Sequence, residues 1–599
     1  MKKSIKAQAA LAFAVSLWIA NGGVASASVY IDVNANDTVT STGSGSGSFE
    51  PGIGTSNVKE LTASGDWGWA ELRGGMGNVA GAISGYKMIV APAAKLDGVY
   101  GGWNTGTGNA TGNTVIIGKG ATIGGEGVSG GTVNAGSANA TGNTVELQGA
   151  TSNGNVMGGR SGQVGNINLV TGNTLILSGE NTVNGFYGVQ NFETINIEGA
   201  VWGTPVLTVN TISNEDGSLP DINTEGIVFS GIDLVNAGGE TPLITGGMAG
   251  YAGHEDKITG STYKVGSTLQ GKGHTVLEGA NLKYVADTSA GSIVAREQTH
   301  NTVMGAEVGM AALSVGNEFI GAATEGLSLA ANTGADGVSS FAQMGGGSIR
   351  QETGSHVDIH TWNAILGLGH QNKKERGTME YGAFFEYGTG NYTTHAENDL
   401  RGDGSARYTG GGLLAKYTTR NNVYVEGSLR AGSVHDDARN VMSDAFGNPY
   451  SYDTNAPYLG FHLGVGKEIA LSDGNSVDVY GKYFFNRKNG VSFDAGGHYD
   501  LDAVTSSVIR LGARYTVKRD KWNFYGGLAY EHELDGKATG TADGVAIRGA
   551  DTSGGSFRGE LGATVKPGEN SPWNIDLNVS GFAGKKQGFT GGVSVAFMF

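Results

Sequence analysis

The C-terminal half of the chain alternates apolar and polar residues with a period of two. From Asn574 to Ser580, for example, every second residue is polar, and those between are Ile, Leu and Val. Segments of about 9 to 11 residues with this pattern suit a tilted strand that crosses a membrane, with lipid on one face and a polar lumen on the other. The pattern therefore predicts transmembrane strands rather than helices.

Short polar turns separate these strands in pairs. They start 47 to 52 residues apart, at Gln371–Glu375, Thr419–Asn422, Leu471–Asn475, Lys518–Lys521 and Lys566–Asn570. Longer loops are predicted between them, including Tyr392–Gly404 and Asp436–Tyr450. Bacterial barrels alternate short periplasmic turns with longer external loops in this way. We therefore expect a 12-stranded antiparallel transmembrane β-barrel over residues 335–599.

The last strand ends in alternating apolar residues that resemble the assembly signal of outer-membrane proteins: Val593, Val595, Phe597 and Phe599.

One segment before the barrel breaks the β pattern. Residues 301–330 are rich in Ala and Glu, contain no Pro, and have apolar residues near helical spacing. Five glycines weaken this helix, each by about 1 kcal/mol relative to Ala, but keep it thin. Thirty helical residues would measure about 45 Å, which predicts a linker α-helix at 300–334 that spans the barrel pore.

The lumen charges suggest how this helix is held. We expect lumen-facing arginines to pair with helix glutamates, although lumen charges could pair with one another instead. The candidates are Arg510, Arg514 and Arg558 in the barrel, and Glu307, Glu318 and Glu325 in the helix.

The N-terminal half contains an internal repeat. The sequence ATGNTV occurs at 110–115 and 140–145, and TGNTL follows at 171–175. A Val-x-Gly-Gly marker precedes each copy. The pattern predicts one coil of a right-handed parallel β-helix per repeat at about 99–199, followed by a capping or junction region at about 200–299. Asn113, Asn143 and Asn173 would then stack as an amide ladder. The alternative is that the TGNT motif only forms a turn, without a ladder.

The chain begins with the pattern of a Sec signal peptide. Three lysines precede an apolar core, and Ala25-Ser26-Ala27 is a cleavage motif. We expect a signal peptide at 1–27, cut after Ala27, and an exported N-terminal domain at 28–299. Cysteine is absent, so disulfides and thiolate metal sites are excluded. The formal net charge is −16, and we expect no nucleic-acid partner.

Motifs for catalysis are weak. Gly127–Gly131 fits G-x-S-x-G around Ser129, but it lies in a repeat of a glycine-rich chain instead of a strand-to-helix elbow. Arg401–Asp403 is an RGD tripeptide in a predicted external loop, where a polar turn is the simpler interpretation. We expect no cofactor and no enzymatic activity.

The order of signal peptide, β-solenoid, small-residue helix and twelve-stranded barrel resembles a monomeric autotransporter of type V secretion. Phe341–Gly347 and Gly354–Asp358 resemble the start of that family's translocator domain. The resemblance implies an outer-membrane barrel that exports and displays its own passenger on the surface of a Gram-negative cell. It also implies membrane lipid, the barrel assembly machinery and periplasmic chaperones as partners.

The passenger's role is predicted from its form. Stacked coils offer long flat faces, which favours adhesion or self-association through a ligand on a host or neighbouring cell. Some family members release the passenger at an Asn-Asn bond in the helix, but here Asn317 and Asn332 are isolated, so a tethered passenger is expected. An enzymatic passenger, or a solute pore with an appended domain, are the alternatives.

Overall fold

The computed structural model contains two compact units. One is formed by residues 1–265 with 271–292, and the other by residues 266–270 with 293–599. The described residues are 29–31, 39–44, 48–51, 59–68, 70–162, 169–210, 222, 226–235, 239–289, 291–331, 338–397, 400–519, 521–565 and 571–598. The predicted signal peptide, its cleavage after Ala27, and Phe599 lie outside these ranges.

The first unit is a β-solenoid built from short parallel strands. Its longest stack contains Val39–Ser44, Glu60–Asp66, Lys87–Val90, Thr114–Ile117, Thr144–Gln148, Thr174–Ser178, Thr194–Ile197 and Val228–Ser230. A second stack includes Glu71–Arg73, Lys95–Tyr100, Thr122–Ser129, Asn181–Val183, Leu207–Val209 and Glu240–Thr245. A third contains Met76–Gly77, Trp103–Asn104, Thr132–Val133 and Arg160–Ser161. Parallel pairing thus extends beyond the 30-residue repeats in both directions.

The repeated asparagines stack in the buried core of the solenoid. The Asn113 side-chain amide donates to Asn143 Oδ1 at 3.1 Å, and the Asn143 amide donates to Asn173 Oδ1 at 3.1 Å. Each of these two acceptors also receives the backbone N–H of the asparagine one coil earlier. The ladder therefore satisfies polar groups that burial would otherwise leave unpaired.

The Val-x-Gly-Gly marker has a packing role beside this ladder. A Cβ on Gly101 would lie 2.2 Å from the Gly130 carbonyl oxygen, and one on Gly130 would lie 2.7 Å from Asn143 Cβ. Only glycine lets consecutive coils approach this closely. The two sequence markers therefore meet at one place in the fold.

The solenoid changes pairing near its C-terminal end. Residues 273–278 form an antiparallel hairpin with Asn281–Ala286, and Glu240–Thr245 pairs with the same strand in the antiparallel sense. This agrees with the atypical end unit expected of a repeat array.

The second unit is a closed antiparallel β-barrel of twelve strands. We label them β1 (Val338–Glu352), β2 (His356–Lys374), β3 (Gly377–His395), β4 (Arg401–Thr419), β5 (Val423–Ser443), β6 (Pro449–Ala470), β7 (Ser476–Lys488), β8 (Val504–Lys518), β9 (Trp522–Glu533), β10 (Gly554–Val565), β11 (Trp573–Gly584) and β12 (Lys586–Met598). Pairing of β1 with β12 closes the barrel.

The alternation predicted from the sequence is present in this barrel. Outward side chains are apolar and exposed, including Leu366, Leu413, Leu528 and Leu561, whereas the buried inward positions carry polar side chains such as Asn363, Glu386, Arg430 and Asn486. The described members of the assembly-signal pattern lie on β12, where Val593, Val595 and Phe597 pair with Met344, Ala342 and Ser340.

The predicted long loops were largely wrong. β3 continues to His395 and β4 begins at Arg401, while β5 and β6 leave only residues 444–448 between them. Alternation continues past the length needed to cross a bilayer, so these strands extend beyond it. The RGD tripeptide consequently lies in β4, where Arg401 forms an ion pair with Asp403 at 3.0 Å.

The larger loops carry a small sheet of their own. Its four strands are Val491–Asp494, His498–Leu501, Gly540–Ala542 and Val545–Ala546. We call this sheet the external cap, because its loops lie at the end of the barrel opposite the short turns.

A single long helix, α1 (His300–Ala331), precedes the barrel. Within the described ranges, no helix has the length and apolar character required to cross a membrane.

Candidate functional site: the barrel lumen and its helix

Helix α1 fills the lumen of the barrel. Val303, Met304, Val308 and Leu313 are almost fully buried and pack among side chains of the barrel wall and the external cap. Further along, Phe319 and Ile320 pack with a second group that includes Phe341 of β1. A helix whose sides are apolar all round must be enclosed, and the barrel provides that enclosure.

Glu318 is the charged centre of this packing. Its carboxylate forms ion pairs with Arg510 of β8, with Arg558 of β10 at 3.1 Å and with Lys586 of β12 at 3.6 Å. The side chains of Glu318 and Arg510 are each exposed by less than a tenth. Removing one member would leave the others charged and buried, which is costly.

Two barrel carboxylates complete this cluster. Glu531 lies 2.7 Å from Arg510, and Glu560 lies 2.8 Å from both Arg558 and Arg514. Four cations thus face three carboxylates, one of which comes from the helix. We call these seven side chains the Glu318 cluster.

A second polar contact lies one helical position away, at Asn317. Arg430 of β5 donates to Asn317 Oδ1 at 2.6 Å and to the Leu313 carbonyl oxygen at 3.0 Å. Arg430 is itself held by Glu386 at 2.9 Å. This buried arginine therefore links the helix to two strands of the barrel wall.

The helix glycines allow close approach of large barrel side chains. A Cβ on Gly305 would lie 2.3 Å from Tyr452 Oη, and one on Gly316 would lie 2.5 Å from Tyr408 Oη. These glycines weaken the helix in isolation, but in the lumen they make room for tyrosines. Lys488 adds a hydrogen bond of 2.9 Å to the Ala306 carbonyl oxygen.

The external cap contacts residues 266–270, while Ser443 of β5 and Arg548 contact the residues just before α1. Ser267 Oγ donates to the Ala495 carbonyl oxygen at 3.0 Å, and Thr268 hydrogen bonds to Asp543. The Gln298 amide donates to the Ser443 carbonyl oxygen at 2.6 Å. Arg548 pairs with Glu297 at 2.9 Å. The chain is thus fixed where it leaves the lumen.

The structure brings together some of the residues expected to pair. Arg510 and Arg558 both meet Glu318, whereas Arg514 pairs with Glu560 of the barrel. Arg514 lies four residues beyond Arg510 on β8, about 13 Å further along the strand, and among the described side chains it pairs with Glu560. The side chain of Glu325 lies outside the described residues.

The pairing proposed for Glu307 is not found. In the described part of the chain, no ion pair joins it to the three arginines. Glu307 lies eleven residues before Glu318, about 16 Å along the helix, and therefore near the external cap.

Five residues of the site were not identified from the sequence: Glu386, Arg430, Glu531, Glu560 and Lys586. Arg430 lies on the polar side of an alternating strand, so an inward direction was foreseeable. Its contact with Asn317 was not, because that depends on how the helix is rotated in the lumen.

The barrel sequence matches a known family. Residues 340–579 match the family described as the autotransporter β-domain. A comparison with curated protein sequences finds no match.

Three of the solved structures similar to this chain are autotransporter translocator domains. The β-domain of the Bordetella autotransporter BrkA is 17% identical, with a TM-score of 0.37, and covers 44% of this chain and 100% of its own. The translocator domain of NalP from Neisseria meningitidis is 14% identical, with a TM-score of 0.38, and covers 48% and 97%. The transport unit of AIDA-I from Escherichia coli is 10% identical, with a TM-score of 0.34, and covers 46% and 98%.

A twelve-stranded barrel with a helix in its lumen, preceded by a parallel β-solenoid, defines a type V secretion protein of the outer membrane. The C-terminal domain of this chain is an autotransporter β-domain. The solenoid is its passenger, displayed on the cell surface.

Proposed function

We propose that the passenger remains tethered to its barrel and acts as a binding surface for adhesion or self-association, without catalysis. A patch on the solenoid supports this proposal most directly. Phe186 and Tyr187 are exposed by 38% and 55%, and their rings meet edge to face with centroids 4.9 Å apart. Aromatic side chains are enriched in binding interfaces, and here two lie side by side in solvent.

A row of exposed amides continues from this aromatic pair. The Asn184 amide donates to Asn153 Oδ1 at 3.0 Å, and the Asn210 amide donates to Asn184 Oδ1 at 2.7 Å. The Tyr187 backbone N–H donates to Asn155 Oδ1 at 2.8 Å, which attaches the aromatic pair to the coil beneath. We call these residues the Asn–aromatic patch: Asn153, Asn155, Asn184, Asn210, Phe186 and Tyr187.

The chemistry of this patch suits a polar partner with apolar faces. An amide offers both donors and an acceptor, and an aromatic ring offers a flat apolar surface. A ligand on a host cell, or a second copy of the passenger on a neighbouring cell, would provide such a face.

Other observations favour a tethered, non-enzymatic passenger. Ser129 of the G-x-S-x-G match is buried, donates to the Gly131 carbonyl oxygen at 2.9 Å and accepts from Thr132. This hydroxyl is engaged within its own coil. Contacts of residues 266–270 with the external cap, and of residues 296–300 with Ser443 and Arg548, favour retention. On the barrel side, we propose contact with membrane lipid, periplasmic chaperones and the assembly machinery during export.

We expect the double substitution of Phe186 and Tyr187 by Ala to abolish most cell–cell or cell–surface attachment that the displayed protein confers. The reason is that the aromatic pair supplies the apolar contact area of the patch. The measurement is settling of cells in suspension and adherence to a host-cell layer, at matched surface amounts of protein.

Val228→Ala is the matched control, since Val228 is an exposed apolar residue of the same solenoid, at 39%, outside the patch. It should leave attachment unchanged. Equal attachment by the double variant and the control would contradict the proposal.

A further inference from the structure

Two histidines and a carboxylate meet on the outer face of the barrel. His356 and Asp358 lie at the start of β2, and His395 lies at the end of β3, directly opposite His356. Potential ligand atoms of all three lie within 4.8 Å of one another. We propose that these residues form a zinc-binding site, which we call the rim site.

The distances carry this proposal. His395 Nε2 lies 3.5 Å from Asp358 Oδ2, and His356 Nε2 lies 3.9 Å from the same oxygen. Ligand atoms of a tetrahedral zinc ion with bonds near 2.1 Å are about 3.4 Å apart. The rim site is therefore close to the required spacing before any ion enters.

The two histidine rings would have to rotate for both to bind the zinc ion. They are stacked, with centroids 4.3 Å apart and planes 19° apart. Small rotations of the two exposed side chains would turn both Nε2 lone pairs towards Asp358. Each side chain is about a third exposed, so such rotation meets little resistance, and the site is open to solution.

Two imidazole nitrogens and one carboxylate oxygen favour zinc over Ca²⁺ and Mg²⁺. Neutral imidazole nitrogens bind Zn²⁺ well, whereas Ca²⁺ and Mg²⁺ prefer sites made of oxygen. At neutral pH an ordinary histidine is largely uncharged and available as a ligand. Three protein ligands leave an open coordination position for water or an external group.

Arg350 of β1 acts as the supporting partner of the carboxylate. Its guanidinium donates to Asp358 Oδ1 at 2.7 Å and to Oδ2 at 2.9 Å. A carboxylate has about four lone-pair positions, so Oδ2 keeps one for a metal. Hydrogen bonds of this kind orient ligating carboxylates in metal sites. The rim site would thereby connect the outer ends of β1, β2 and β3.

Zinc binding to the full-length protein tests the proposal. The protein is purified in detergent without a polyhistidine tag, and ZnCl₂ is titrated in competition with a chelating indicator. We expect one saturable site in the wild type. His395→Gln should weaken it by about tenfold or more, since removal of even a supporting partner weakens metal sites by about 10- to 100-fold.

His360→Gln is the matched control, because His360 is an exposed histidine on the same face of β2, two residues beyond Asp358. It should bind zinc as the wild type does. Heat-modifiable migration in gels shows whether His395→Gln forms a barrel. If it does not, the zinc affinity of Asp358→Asn is compared with that of the control instead. An absence of saturable binding in the wild type, or equal zinc affinity in the ligand variant and the control, would overturn the rim site.

Discussion

Deletion of residues 301–330 is expected to turn a nearly closed barrel into an open channel. Helix α1 fills the lumen with buried apolar residues and is surrounded by charged and aromatic side chains of the wall. With its side chains, a helix is about 10 Å across, so its removal leaves a passage of roughly that width. The expected result is a large, stable increase in single-channel conductance in planar bilayers.

The matched control removes the passenger instead. A variant that lacks residues 60–265 but keeps α1 and the barrel should conduct as little as the full chain, because the lumen is unchanged. Equal conductance of the helix deletion and this control would show that the helix does not block the lumen. High conductance of the full chain would favour a solute pore with an appended domain.

Reversal of charge at Glu318 is expected to have the second largest effect. In Glu318→Lys a fifth cation faces Arg510, Arg514, Arg558 and Lys586, and only Glu531 and Glu560 remain to balance them. Breaking a buried ion pair costs about 3–5 kcal/mol. We expect the helix to leave its seated position, and the urea concentration at which the barrel unfolds to fall. Heat-modifiable gel migration over a urea series measures this midpoint.

Two further variants separate the buried pairing from a general effect of charge. Arg439→Glu reverses a highly exposed residue whose partner is Asp437; exposed pairs contribute about 0–1 kcal/mol, so its unfolding midpoint should stay close to that of the wild type. Glu318→Gln removes the carboxylate charge without adding a fifth cation, so its unfolding midpoint should fall less than that of Glu318→Lys. If Glu318→Lys and Arg439→Glu unfolded at the same urea concentration, the Glu318 cluster would not hold the helix.

The parts of the fold that could be predicted are those in which local pattern and global structure agree. A 30-residue spacing placed Asn113, Asn143 and Asn173 at equivalent positions of successive coils, and stacking of coils then required them to meet. Alternation with period two predicted the barrel strands, because one face meets lipid and the other the lumen. The helix could be recognised because the spacing of its apolar residues differs from the period of two in the barrel and from the 30-residue repeat of the solenoid.

The external cap could not be predicted in the same way. Its strands, such as Val491–Asp494 and Gly540–Ala542, are too short to show a pattern, and they pair across long stretches of sequence. The lengths of the barrel strands were also underestimated, since polar residues such as Arg401 and Asp403 were interpreted as a loop. A strand can continue beyond the membrane with polar residues on both faces. The charges of Arg401 and Asp403 therefore do not reveal where the strand ends.

The lumen contacts could be predicted only in part. Inward-facing Arg510 and Arg558 followed from strand alternation, and Glu318 from its place on the helix. Which arginine meets which glutamate depends on the height and rotation of the helix in the lumen, which no short sequence pattern records. Arg430 was therefore missed as a contact of the helix, and the pairing of Glu325 with an arginine stays a prediction.

The barrel anchors a passenger that is displayed outside the cell. Because the chain contains no cysteine, single cysteines report the side of the membrane without background. The most direct measurement is labelling of intact cells with a membrane-impermeant maleimide, comparing Tyr187→Cys in the passenger with Asp473→Cys in the short turn between β6 and β7. We expect labelling of Tyr187→Cys on intact cells, and of Asp473→Cys only after the outer membrane is permeabilised. Labelling of Asp473→Cys on intact cells, with Tyr187→Cys protected, would contradict it.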